Sequence, residues 1–269
     1  MLKPEDIVAG KEKLFLKELV VADTGDGKTH FAATHPKSYF LITEPGGEDT
    51  FLTKPELRQN IVGYDKFIPI SEDDTKRVFD ELEAACNNAR EMAKKGEIET
   101  VVLDNITYLA ANRWIYINRY EPEISRTGEV DTRGMYGKLA RWMYNFVLMK
   151  LLTIPANLVI TVHSKMESEE MMSKKLDKNN PIVPNILGGF RDDIGGMVSL
   201  VLYLGKVNLG QGKYKYLART NMGQGKQGKS RYPNIPEVVE DISYQKLRDV
   251  ILKSINPVKQ EEKKGVVNG

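Results

Sequence analysis

The chain has 269 residues, enough for one large α/β domain with a substantial core. Its 39 Lys and Arg nearly balance 37 Asp and Glu, and a net charge of +2 argues for no nucleic-acid partner by itself, so that reading must rest on local patches. The single cysteine, Cys86, excludes an intramolecular disulfide, no run of about 18 apolar residues is available to span a bilayer, and the polar opening MLKPEDIVAGKEK lacks a signal-peptide core; a reducing, cytoplasmic setting with no membrane contact is expected.

Residues 1–13 read as a polar N-terminal segment. From 14 to 255 strand-like apolar runs alternate with helical patterns, which predicts a mostly parallel α/β sheet with helices on both faces. The first strand is expected over Leu14–Val21, followed by a glycine-rich loop and a short helix from Gly27 to about His35. SYFLITE (Ser38–Glu44) is the next strand and Phe67–Ile70 a short third one. Ser71, with Asp74 three residues on, is the expected cap of a helix in which Val78, Leu82, Ala85, Ala89 and Met92 recur at helical spacing until Gly96. TVVLD (Thr100–Asp104) is a buried strand, and Thr107–Tyr120 a helix. Leu139, Trp142, Met143, Phe146 and Val147 mark a further helix that stops near Pro155. LVITVH (Leu158–His163) is another buried strand. Late strands are expected over Val198–Leu204 and Tyr214–Arg219, then a helix over Ser243–Ile255, and the charged residues 256–269 read as a disordered tail. Two segments, Tyr120–Lys138 and Lys165–Leu187, carry glycines, prolines and charges and read as long functional loops.

The chemistry is expected first in VVADTGDGKTHF (Val20–Phe31). Between a strand and a helix, G-x-x-x-x-G-K-[ST] turns backbone N–H groups toward phosphate oxygens. Here Ala22 replaces the first glycine, the smallest change available. Thr24, Gly25, Asp26, Gly27, Lys28, Thr29 and His30 are the candidate nucleotide contacts, with Asp26 free to face solvent because the loop uses its backbone there. Lys28 supplies a point charge for the outer phosphates, and the Thr29 hydroxyl can join a Mg²⁺ shell. Asp104, closing a buried strand, is either the carboxylate that orients Mg²⁺ or the cap of the following helix, and the two roles are compatible. Asn105 follows it where a Glu would have offered a hydrolytic base. That role is therefore sought in Glu44, which ends a neighbouring strand and reads either as the group polarising the attacking water or as a solvated charge at a turn. His163, at another strand end, is a structural residue or a sensor of the γ-phosphate. From Ile194 to Pro236 there is no Asp or Glu, yet Lys206, Lys213, Lys215, Arg219, Lys226, Lys229 and Arg231 occur; this is a solvated hairpin or a surface that meets phosphate.

In this order the parts resemble the RecA/RadA-like ATPase core, and most nearly the phage-encoded single-strand-annealing ATPases, over about Leu14–Ile235. The resemblance implies ATP and Mg²⁺ as cofactors and hydrolysis stimulated by DNA. Glu44 would be the catalytic glutamate, His163 would stand where a glutamine usually senses the γ-phosphate, and Arg219, with Lys226, Lys229 and Arg231 as competitors for the role, would reach the ATP of an adjacent copy. It also implies a homo-oligomer, ring or filament, that binds single-stranded DNA through its two long loops, with Arg126, Arg133, Lys165, Lys174 and Lys175 as contacts. A single-strand-binding protein is a further candidate partner. The implied function is annealing or strand pairing in phage recombination, with hydrolysis resetting the DNA-binding loops. The alternative is a nucleotide-dependent loader or packaging-associated ATPase whose loops grip a protein, for which MESEEMM (Met166–Met172) is suggestive.

Overall fold

Strands that are apolar on both faces are satisfied only between two helical layers, and that requirement organises this chain. The computed structural model describes residues 13–166, 182–211, 213–220 and 228–255. The elements are β1 Lys17–Ala22, α1 Lys28–Ala32, β2 Ser38–Ile42, α2 Asp49–Leu52, α3 Pro55–Arg58, β3 Ile61–Lys66, α4 Thr75–Lys94, β4 Thr100–Asp104, α5 Ile106–Tyr120, α6 Thr132–Asn145, a π-helical turn Phe146–Leu151, β5 Asn157–Met166, β6 Ile182–Pro184, α7 Phe190–Met197, β7 Leu200–Gly210, β8 Lys213–Arg219, β9 Lys229–Ser230, β10 Val238–Glu240 and α8 Tyr244–Ile255.

One sheet runs in the order β10-β8-β7-β1-β5-β4-β2-β3, with β6 added to β5 and β9 to β7. From β7 to β3 every neighbour is parallel, while β8 and β10 pair antiparallel and form a wing. Alternation splits the core in two. Leu19, Val21, Leu41, Val101, Leu103, Leu158, Ile160 and Val162 face α4, α5, α6 and α7. Val20, Ala22, Phe40, Ile42, Val102 and Val159 face α1, α2, α3 and α8. In a parallel sheet all strands end at one edge, so this order brings together the tips of β1, β5, β4 and β2. The register sets Ala22 beside His163 and Ile42 beside Asp104.

Several elements depart from the sequence expectation. The third strand is Ile61–Lys66, not Phe67–Ile70. Pro69 has no N–H to give a ladder and Ile70 is 91% exposed, whereas Ile61–Lys66 is an edge strand whose polarity hides it from a hydrophobic scan. Ser71 does not cap α4: the helix begins at Thr75, and the Asp74 carboxylate accepts the Ile70 N–H at 3.1 Å while pairing with Arg77. The Tyr120–Lys138 segment is a loop only over 121–131. There an Ile124–Val130 bridge closes it, and the Asp131 side chain caps α6 by accepting the Gly134 N–H at 2.9 Å. Helix α7, in the glycine-punctuated stretch FRDDIGGM, was not legible, nor were α2, α3 and β10. The predicted tail, residues 256–269, lies outside the described residues.

Candidate nucleotide site

The site begins with backbone that only glycine adopts comfortably. Gly25 and Gly27 have φ of +83° and +91°, and a Cβ on Gly27 would come within 2.6 Å of the Tyr216 ring. The loop thereby delivers Lys28, which is 5% exposed, into the sheet edge. Its ammonium donates to the carbonyls of Ala22 at 3.1 Å and Asp23 at 3.0 Å and to His163 Nδ1 at 3.1 Å. Burial lowers the Lys28 pKa, against the opposing charges of Glu44, Asp104, Asp26 and Asp23.

Asp104 closes β4 and is completely buried. Thr29 Oγ1 donates to its Oδ2 at 2.7 Å and Thr161 Oγ1 to its Oδ1. Burial pushes this carboxyl above its ordinary value, and the two threonines only partly offset that. Asp104 does not cap the next helix: Asn105 does, accepting the Tyr108 N–H at 3.1 Å, and the Asp104–Asn105 peptide bond is cis.

Because the Asn105 carbonyl oxygen is occupied by that cap, its amide nitrogen is left to donate, and it donates to Glu44 Oε2. His163 lies between Lys28 and Glu44, with Nδ1 3.1 Å from the Lys28 ammonium and Nε2 3.2 Å from Glu44 Oε1 and 3.1 Å from the Asn105 amide nitrogen. Lys28, His163, Glu44 and Asn105 thus form one chain of contacts across three strand tips. Burial raises the Glu44 carboxyl, but His163, Lys28 and the Asn105 amide outweigh it and hold the group below its usual value. At neutral pH it is an ionised acceptor.

A cleft of about 300 Å³ opens over these groups, bordered by Thr24, Glu44, Pro45, Gly46, Gly47 and Thr50 as well as the loop. His30 and Tyr216 form its aromatic wall, stacked at 5.1 Å and 19°. The Lys54 ammonium lies 3.1 Å from His30 Nδ1, and burial together with that charge lowers the His30 pKa, favouring a neutral ring. Asp26 does not simply face solvent. It is partly buried in an adjoining cleft of about 420 Å³ with Asp23, Lys206 and Arg219. Burial raises its pKa, and Lys206 pulls it back.

The other sequence candidates scatter. Arg219 is exposed on β8 in that second cleft, away from the loop's glycines. Lys229 and Arg231 donate to the Gly195 and Gly196 carbonyls and so hold the end of α7. Arg126 and Arg133 are exposed in and just after the 121–131 loop, and neither has an ion pair among the described residues. Lys165 sits near the end of β5, two residues past His163. Lys174, Lys175 and Lys226, and all of MESEEMM except Met166, lie outside the described residues. Sequence reasoning missed Tyr216, Lys54 and Thr161, and it named Lys206 only as one cation of the basic stretch. Thr161 had a weak signal, as a polar residue inside an apolar strand; Lys206 and Tyr216 depend on strand register and Lys54 on how α3 packs beside the loop, and no local pattern carries either.

The geometry suits Mg²⁺ with a polyphosphate. Thr29 and Asp104 bring a hydroxyl and a carboxylate together below a lysine. Among the described residues no group of three His, Cys, Asp or Glu could hold a metal alone, as expected for an ion that takes its remaining ligands from phosphate and water. Thr29 would hold the ion and Asp104 would orient it, and when bound it supplies neutralisation of charge on the phosphates. Among the described residues no helix is long and apolar enough to cross a membrane.

No curated protein matches the chain. Among solved structures it is similar to the assembled ATPase EscN of the enteropathogenic E. coli type III secretion system, at 16% identity and a TM-score of 0.44 over 71% of this chain and 43% of that one. The chain therefore spans less than half the length of EscN. It is also similar to the KaiC-like protein PH0186 of Pyrococcus horikoshii OT3, at 19% identity and a TM-score of 0.34, covering 84% of this chain and 89% of that one. A third similarity is to the RadB recombinase, at 16% identity and a TM-score of 0.38, covering 88% and 92%. The sequence model of an AAA domain matches residues 15–232. The phosphate loop and the buried aspartate already described agree with that match: the chain belongs to this AAA-domain family and is a P-loop ATPase that uses ATP and Mg²⁺.

Proposed function

We propose that this ATPase couples ATP hydrolysis to binding of single-stranded DNA, as an oligomeric recombination or annealing protein of phage type. The observation that carries the reading is the run of β5. This one strand takes His163, in contact with both Lys28 and Glu44, straight to Lys165 and Met166 at the threshold of the segment expected to meet DNA. A change at the far phosphate therefore has a two-residue path to that segment.

In the mechanism we propose, the ionised Glu44 carboxylate orients the attacking water and accepts its proton, while His163 and Asn105 hold that carboxylate in place. Lys28 leaves its loop carbonyls to neutralise the outer phosphates. The backbone N–H groups beside Gly25 and Gly27 line the phosphate path. The stacked His30–Tyr216 wall offers a flat face to the nucleobase. Arg126, Arg133 and Lys165, joined by Lys174 and Lys175, supply the phosphate contacts to DNA, and Arg219 is our candidate for reaching the nucleotide of a neighbouring copy.

The test is the ATPase rate of the full chain with and without an oligonucleotide, together with oligonucleotide binding as a function of salt. Stimulated turnover and affinity that falls steeply with salt are expected. Turnover indifferent to DNA, with no salt-dependent binding, removes the DNA reading and favours a partner protein on the same loops.

A further inference from the structure

We propose that Lys206 is a positioning residue of the phosphate loop, holding the Gly25 peptide so that its carbonyl stays out of the nucleotide cleft. The proposal rests on nucleotide binding at this loop but not on any role in DNA.

Lys206 and Tyr216 are directly opposed across the antiparallel β7–β8 pair, so their side chains leave the same face of the wing. Both meet the loop, each at a glycine. The Lys206 ammonium donates to the Gly25 carbonyl at 2.8 Å, and the Tyr216 ring covers Gly27. On the far side of the Gly25–Asp26 peptide, the Asp26 N–H bonds the Asp23 carbonyl at 3.2 Å. The peptide plane is therefore fixed at both ends. This matters because the residue is a glycine at φ +83°, where the plane has little intrinsic preference. A carbonyl turned toward the cleft would set a partial negative charge against a polyphosphate, whereas the same carbonyl turned to an ammonium does not.

The same lysine also bears on Asp26, the acid that the loop carries beside its phosphate-binding residues. Asp26 would repel a bound triphosphate if its charge were unopposed. It lines the adjoining cleft with Lys206, whose charge acts on it, and whose ammonium also lies 5.2 Å from the centre of the Tyr214 ring. One lysine thus serves both irregular features of the loop, the free glycine plane and the misplaced acid.

Lys206→Met keeps the stem and removes the charge. The measurements are the Kd of a fluorescent ATP analogue with Mg²⁺, and KM and kcat for ATP, on the full chain. Kd and KM are expected to rise together by roughly three- to tenfold, the size of one exposed charge-assisted hydrogen bond, with kcat changed by less than about twofold. Lys206→Arg should recover most of the loss. Asp26→Asn added to Lys206→Met should recover part of it, because the acid then needs no partner. Unchanged Kd and KM in Lys206→Met overturn the proposal, and the ATPase assignment survives if Lys28→Ala still abolishes binding. An affinity loss that tracks a fall in Tm, and that neither Lys206→Arg nor Asp26→Asn repairs, makes Lys206 a structural support and overturns it equally.

Discussion

The parallel core and the antiparallel wing divide the work of this molecule differently. In the core, β1, β5, β4 and β2 are mainly apolar through their middles, and the groups that gather at the cleft stand at or just past their C-terminal tips: Lys28 beyond β1, His163 on β5, Asp104 on β4 and Glu44 past β2. In the wing, β7 and β8 run on beyond the core with exposed Val207, Leu209 and Tyr214, and they touch the phosphate loop through side chains on a strand face, Lys206 and Tyr216. The difference teaches where chemistry and adjustment reside. Groups at strand tips are fixed by the sheet itself and suit the reacting atoms. Groups on a wing face are fixed by register with a loop and suit its positioning.

If the core tips carry the chemistry, their substitution should produce the largest effects. Lys28→Ala removes a buried ammonium with four carboxylates in its field, and ATP affinity should fall at least about a hundredfold by titration calorimetry. Retained binding would shift the phosphate contacts to the wing. Asp104→Asn should separate catalysis from stability. Because burial raises the folded-state pKa of Asp104, its ionised form destabilises the fold once the pH is above its unfolded value. Stability should therefore increase as the pH falls from the folded pKa toward the unfolded one. In Asp104→Asn that dependence should vanish, with Tm at neutral pH equal or higher and Mg²⁺-dependent turnover lowered by about tenfold or more. A lower Tm at neutral pH, scanned by calorimetry, would make the aspartate structural. His30→Ala, at the boundary between core and wing, should have the smallest effect: roughly threefold weaker ATP binding with inorganic triphosphate unaffected, if the aromatic wall meets only the base.

The same division explains what could be read from the sequence. The central parallel strands β2, β4 and β5 announce themselves by mainly apolar runs that lead to Glu44, Asp104 and His163, and the glycine-rich loop motif after β1 names Lys28, so these four could be singled out before any coordinate. The order β1-β5-β4 could not be read from the chain, yet it is what sets His163 between Lys28 and Glu44. Edge strand β3 and helix α7 escaped because polarity and glycines mask them locally, while packing on a neighbour fixes them. Lys206 and Tyr216 were just two letters in a basic stretch, since their meaning lies in a cross-strand pairing. Arg219, conspicuous in the sequence, lies instead in the second cleft.

In the proposed mechanism Glu44, held ionised by His163, Lys28 and Asn105, activates water at a site that otherwise only binds. The direct measurement is single-turnover hydrolysis by Glu44→Gln at saturating MgATP, with the Kd measured in parallel. This mechanism requires affinity within about threefold of the unmodified chain and a rate lowered by about a hundredfold or more. Hydrolysis at the unmodified rate would contradict it.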